Sequence, residues 1–329
     1  MSHAAHRIAP PPVGPPLGEP PLGIGEIPLS IGEMSLSAEE APMSTVSELL
    51  QRGARSLESH SDSPRLDAEL LLGKILGLPR SGLIARGNDP VPSERERGYA
   101  SLIEQRLKGA PIAYLTGTRE FWSLALRVTP AVLVPRPETE LLVELALQRL
   151  PRHEDCPSAD RACSILDLGT GSGAIALAIA SERPRARVTG VDISPVALEI
   201  AIQNSRDLGL AHVDWRLGSW FAPVHGERFD VIVANPPYVA AADPALEHLR
   251  AEPAIALCDG PTGLEALSAI IGAAAPHLQT QGWLILEHGS NQAPDVAQLL
   301  ERHGFTQVRS HLDLSGKPRV TLGTVHSPQ

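Results

Sequence analysis

The sequence predicts an α/β protein built on a doubly wound sheet with helices on both faces, preceded by a small helical segment and a hairpin-like connector. Three observations carry that prediction. Beyond residue 163, short apolar runs of strand length alternate with stretches of helical period. A glycine-rich turn, Gly169-x-Gly171-x-Gly173, stands between the first of those strands and the first of those helices. Residues 44–109, by contrast, space their apolar positions at three and four with no strand-like run.

The totals limit the classes of function. With 329 residues, 43% of them hydrophobic, the chain is long enough for two globular domains with a well-buried core. A net charge of −10 argues against a general nucleic-acid binder, which needs a basic excess to displace phosphate counterions. No apolar run reaches the roughly 18 residues that span a bilayer, and the N-terminus lacks a secretion signal, so a cytoplasmic protein with no membrane partner is expected. Cys156, Cys163 and Cys258 are odd in number and not closely paired, which fits a reducing compartment and indicates neither disulfide nor metal. None of the twelve histidines has a partner at catalytic or metal-ligand spacing.

Residues 1–42 are rich in Pro, Gly, Ser and Glu and bury too little apolar surface to offset their ordering entropy, so a disordered tail is expected, with Met43 an alternative start. Amphipathic helices follow in "STVSELLQRGARSLES", "SPRLDAELLLGKILGL" and "PSERERGYASLIEQRLKG". Pro130, Pro135 and Pro137 punctuate short extended segments over 121–140, and "ETELLVELALQRL" reads as a helix. The alternating region then gives strands at 164–168, 187–192, 213–217, 229–234 and 283–287, with closing strands near 307–312 and 318–325. Helices are expected at 174–182, 195–208, 263–278 and 293–303.

The glycine turn needs glycines because it is tight and a ligand must approach its backbone. Its third glycine comes one residue too early for the dinucleotide fingerprint, and the acidic Asp167 precedes it by two, which disfavours a pyrophosphate. Asp192 ends the next strand, 23 residues beyond Gly169, near the offset at which an acidic side chain meets a ribose diol. A nucleoside without phosphates and with a positive charge suits these features, and S-adenosylmethionine is such a ligand. Trp220, just after the third strand, is expected beside its adenine.

The run "VIVANPPYVAA" carries Asn235, Pro236, Pro237 and Tyr238 at the end of the fourth strand, on the carboxyl edge where ligands bind such sheets. Consecutive prolines hold their neighbours' carbonyls in set directions. The Asn235 side chain and the Pro236 carbonyl supply two acceptors for an –NH2 group on a planar system, which Tyr238 can cover by stacking. Methyl transfer to a conjugated nitrogen is the chemistry such a clamp serves.

Taken together, "GAPIAYLTGTREFW", "VPRPETE", "DLGTGSGAIALA", "VDISPVAL", "NPPY", "LEHG" and "RVTLG" resemble the HemK/PrmC family, the peptide-chain-release-factor glutamine N5-methyltransferases, from about Met43 to Val325. The resemblance implies a Rossmann-like, seven-stranded S-adenosylmethionine-dependent methyltransferase sheet over 136–326. It further implies a helical substrate-recognition bundle over 43–117, joined to the sheet by a hairpin over 118–135. It implies cofactor contacts at Gly169, Thr170, Gly171, Ser172, Gly173, Asp192, Trp220 and Asn235, and a glutamine clamp at Asn235, Pro236, Pro237 and Tyr238. The implied partner is a class I release factor, methylated on the glutamine of its Gly-Gly-Gln loop. A ribosomal-protein glutamine, a nucleic-acid base, and a non-catalytic adaptor role are the competing readings.

Overall fold

The computed structural model describes residues 43–150 and 162–325. The expectations for the tail 1–42 and for Cys156 lie outside them. Helix α1 (Val46–Leu57) opens on a capping box, in which the Glu48 N–H donates to Thr45 Oγ1 and the Thr45 N–H to Glu48 Oε2. Helix α2 (Pro64–Leu76) has proline in its first turn and stops at Gly77, whose φ of 68° only glycine adopts freely. The short α3 (Arg80–Ala85), α4 (Ser93–Leu107) and α5 (Ile112–Thr116) complete the helical segment. Leu49, Leu57, Leu71 and Leu72 are fully buried there against Leu83 and Tyr99.

Strands β1 (Thr118–Phe121) and β2 (Leu124–Arg127) form an antiparallel hairpin, whose first strand precedes the extended segments read over 121–140. Its two-residue turn puts both Trp122 and Ser123 at positive φ, 53° and 60°, the twist that tight hairpins favour. Two carboxylates hold the turn: the Trp122 N–H donates to Glu140 and the indole Nε1–H to Glu182, each at 2.9 Å.

A short turn, Pro137–Thr139, leads into α6 (Glu140–Arg149). The alternating part then runs β3 (Ser164–Leu168), α7 (Ala174–Glu182), β4 (Arg187–Asp192), α8 (Pro195–Asp207), β5 (Asp214–Leu217), β6 (Phe229–Ala234), α9 (Ala245–His248), α10 (Glu265–Ala274), β7 (Leu278–Glu287), α11 (Ala293–Arg302), β8 (Thr306–Leu312) and β9 (Pro318–Thr324). Strand order is β5-β4-β3-β6-β7-β9-β8, parallel except for β9, which pairs antiparallel with both of its neighbours. Both faces are covered, because alternate residues of one strand enter different cores. Val231 and Val233 pack with α6 and α7, while Ile232 and Ala234 pack with α10 and α11. Strands β4 and β5 are added on one side of β3 and β6 and β7 on the other, so strand order reverses between β3 and β6, the switch point at which ligands bind doubly wound sheets.

The helix expected over 263–278 is shorter. Pro276 has no N–H to continue it, so α10 ends at Ala274 and a 3-10 turn, Ala275–His277, delivers the chain to a β7 that starts at Leu278 rather than 283. Among the described residues no helix is long and apolar enough to cross a membrane.

Candidate active site

At the switch point the carboxyl ends of β3, β4 and β6 enclose a cavity of about 260 Å³. The glycine loop after β3 lines it with Gly169, Thr170, Gly171 and Ser172, the end of β4 with Asp192, the segment after β5 with Trp220, and the tip after β6 with Asn235 and Pro237. Sequence-distant residues thus converge because parallel strands align their carboxyl ends.

The loop's hydrogen bonds decide what it can hold. The N–H groups of Gly169 and Thr170 donate to the Val191 carbonyl at 2.9 and 3.0 Å, that of Gly171 to the Asp192 carboxylate at 2.8 Å, and that of Gly173 to the Thr170 carbonyl at 2.8 Å. Four donors that a phosphate-binding loop would aim at its ligand are committed internally. Asp192, mostly buried, has its carboxyl held above the usual range by that burial, against the backbone N–H groups of Ser194 and Gly171. A cavity walled by a carboxylate, with these four N–H groups turned to internal partners, fits a cationic nucleoside. Gly171 adds the space: at φ 56°, a Cβ built on it would meet nothing within 4 Å.

Two residues of this segment lie outside the cavity lining. Gly173 does not line the cavity; it caps α7 at φ 82°, and a Cβ there would lie 2.9 Å from Trp215 and 3.1 Å from Leu177, so its glycine serves packing. Asp167 is fully buried behind the loop, where it accepts from Thr170 Oγ1 at 2.6 Å and from the Ala176 N–H at 3.2 Å. Burial raises its carboxyl to about 7, opposed by those two bonds and reinforced by Asp192. Trp220 borders the cavity at φ 45°, with a Cβ on Gly169 3.6 Å from its ring, and also packs against the core beneath.

The tip divides into two parts. Asn235 Nδ2 donates to Thr139 Oγ1 at 3.2 Å, which leaves Asn235 Oδ1 and the Pro236 carbonyl without a donor among the described residues. Pro236 is buried and outside the cavity lining; Tyr238, half-buried, is also outside it, and its hydroxyl donates to Glu287 Oε1 at 3.3 Å. The Tyr238 carbonyl accepts from Gln292 Nε2 at 3.0 Å. A Cβ on Gly263 would stand 2.4 Å from that same carbonyl, so glycine is needed where the following segment passes. Over the cavity, Arg136 pairs with the buried Glu252, which also accepts the Val134 N–H at 3.0 Å. Sequence reasoning assigned no role to Thr139, Glu252 or Glu287. Only the motif "LEHG" pointed at the last of these.

Fold, phosphate-averse cavity and acceptor tip define an S-adenosylmethionine-dependent methyltransferase. A family described as PrmC N-terminal domain matches residues 48–117, and one described as methyltransferase domain matches residues 159–300. The release factor glutamine methyltransferase of Xylella fastidiosa (strain Temecula1) is 48% identical over 79% of this chain and 92% of its own. That of Escherichia coli (strain K12) is 42% identical over 83% and 96%. The chain belongs to the release factor glutamine methyltransferase family. Among solved structures, the catalytic domain of hMettl16 in complex with the MAT2A 3′UTR hairpin 6 shares the fold at a TM-score of 0.51, with 14% identity, 66% of this chain and 81% of that one.

Proposed function

We propose that this protein methylates the side-chain amide nitrogen, N5, of the glutamine in the Gly-Gly-Gln motif of class I release factors. The observation that carries the reading is the polarity of Asn235: its Nδ2 is occupied by Thr139, so Oδ1 is the group it offers at the rim of the cavity. A carboxamide nitrogen is a poor nucleophile because its lone pair is delocalised. Asn235 Oδ1 and the Pro236 carbonyl, both neutral acceptors, hold its two N–H bonds without removing a proton and favour pyramidalisation of the nitrogen. Orientation of this kind lowers barriers by several kcal/mol, and the acceptors also stabilise the positive charge building on nitrogen in the transition state.

Bound S-adenosylmethionine supplies an electrophilic methyl group on a cationic sulfur. Gly169 to Gly171 leave room for the nucleoside, Asp192 accepts from its ribose hydroxyls, and Trp220 borders its base. The helical residues 43–117 carry no cluster of catalytic groups and serve to grip the release factor. A net charge of −10 supports a protein substrate over a nucleic acid.

The test is mass mapping of a class I release factor after incubation with the protein and cofactor. One methyl group on the Gly-Gly-Gln peptide is expected. Methyl transfer to a ribosomal protein or to a nucleic acid, with the release factor untouched, overturns the assignment.

A further inference from the structure

The chain between the tip and α10 leaves the sheet and returns to it. Residues 241–257 form a loop whose neck is closed straight after Tyr238. The Val239 N–H donates to the Leu257 carbonyl at 2.9 Å, the Asp259 N–H to the Val239 carbonyl at 3.2 Å, and the Ala241 N–H to the Gly260 carbonyl at 2.9 Å. The returning limb lines the cofactor cavity with Ile255, Ala256, Cys258 and Asp259, and the segment 131–136 lines it too, through Val132, Leu133 and Arg136. From Ala241 to Ala256 only Glu252 is buried, its side chain 3% exposed. Its Oε2 accepts the Val134 N–H at 3.0 Å and its Oε1 pairs with Arg136. We propose that this loop is a gate for the cofactor, hinged at the tip and latched by Glu252. Release of the latch sets the rate at which S-adenosylmethionine and its demethylated product pass in and out of the cavity.

Two features make this contact releasable. Every other hydrogen bond formed by residues 242–256 stays within 240–258, so beyond the neck and among the described residues Glu252 alone bonds the loop to the rest of the protein. What it buries, moreover, is a charge. Taking a carboxylate out of water costs hydration that its attraction to a guanidinium offsets only in part. Opening returns both groups to water, so the open and closed arrangements lie close in free energy. An apolar side chain in the same place would hold the loop by burial and recover nothing on opening. The other side of the latch is held fast: Tyr114 Oη donates to the Val132 carbonyl at 2.6 Å, and Arg119 Nε to the Pro135 carbonyl at 3.2 Å. The movement therefore falls on the loop.

A gate and a wall differ in kinetics. A side chain that only supports the bound cofactor slows its departure and leaves its arrival alone. A latch that must open before either passage slows both alike and leaves the equilibrium affinity where it was. Glu252 belongs to the second kind, because both of its partners are groups of the segment 131–136 and the latch closes whether or not the cavity is filled. The inference rests on the cofactor cavity and not on the identity of the methyl acceptor.

The experiment compares the full chain with Glu252→Gln, which keeps the shape of the side chain and removes the charge that holds Arg136. Stopped-flow tryptophan fluorescence with S-adenosylmethionine and with S-adenosylhomocysteine gives the association and dissociation rates, and a thermal melt reports whether the variant is folded. Both rates should rise by about tenfold, the order expected for loss of a charge-assisted hydrogen bond from the closed state, with the dissociation constant unchanged within about threefold. Any other pattern in a folded variant, such as faster dissociation alone, overturns the gate. The Val134 amide offers a second measurement on the wild-type protein, since its N–H is buried and Glu252 is its acceptor. By NMR hydrogen exchange it should exchange through local opening, at a rate that low denaturant does not alter. Exchange only with global unfolding, together with the amides of β6, overturns the gate even if Glu252→Gln does not fold. Neither readout uses a methyl acceptor, so inactivity on release factors would defeat the substrate reading and leave this one decided.

Discussion

Asn204, buried in α8, donates from Nδ2 to the Ser172 carbonyl over 2.9 Å, and so ties the glycine loop to a helix on the far side of β4. The same side chain accepts the Arg127 N–H at 2.7 Å and donates to the Arg127 carbonyl at 3.1 Å, which fixes the hairpin to the same point. Loop and connector are thus set by one amide.

Replacing Asn204 by Leu should leave those backbone groups unpaired in a buried site, at about 1–3 kcal/mol for each group that water does not reach. Denaturant melts should show a lowered midpoint, and calorimetry a weakened cofactor affinity, because Ser172 borders the cavity. A variant with both values unchanged would mean that water replaces the amide at no cost.

Gly171 and Gly173 should respond differently to alanine. Both have positive φ, which costs a non-glycine residue about 1–2 kcal/mol. At Gly171 the new methyl enters open space in the cavity wall, so cofactor affinity falls with a modest loss of stability. At Gly173 it meets Trp215 at 2.9 Å and Ala201 at 3.2 Å, and the larger effect should be on the melting temperature. Parallel melts and titrations of the two variants check the contrast.

These cases mark where sequence reading reached and where it stopped. The central strands of the main sheet were legible because they carry runs of apolar residues bounded by turn signals, as in "VIVA" before Asn235, whereas the polar opening of β7, Gln279 to Gln281, showed no such run. Helices α3 and α5 were not, because six and five residues hold too few turns to display a period. Glycine loop and tip could be read locally. Their supports could not: Thr139 is 96 residues from Asn235, Asn204 is 32 from Ser172, and Glu287 is 49 from Tyr238. Those contacts arise from strand order, which places β7 beside β6 and α8 against the loop. Beside the motif "LEHG", an acid at the end of an apolar strand, "LILE", is a signal that could have singled out Glu287.

Asn235→Ala should lower kcat by about 10²–10³-fold, the usual effect of deleting one acceptor or donor that acts on transition-state charge. The fold should persist, because the side chain is half-buried and its one polar bond is to Thr139. Steady-state kinetics on release factor together with a thermal melt separates the two effects. A variant that fails to fold would make the residue structural.

Two buried carboxyls give stability a pH dependence of definite sign. Glu287 rises from its ordinary 4.5 to about 7 and Asp167 from 3.8 to about 7, both chiefly through burial. In the interval between the ordinary and raised values the folded protein holds protons that the unfolded chain has released. Stability therefore falls as pH rises through that interval and levels off above about 7. Each unit of such a shift is worth about 1.4 kcal/mol, so the two groups together can exceed the opposing contributions of exposed carboxyls such as Glu104 and Asp207, whose values are lowered. Chemical denaturation at about pH 5 and about pH 8 should show the smaller stability at the higher value. The difference should shrink in Glu287→Gln and again in Asp167→Asn, each of which removes one titrating group. A difference that both variants leave intact would locate the dependence in other residues.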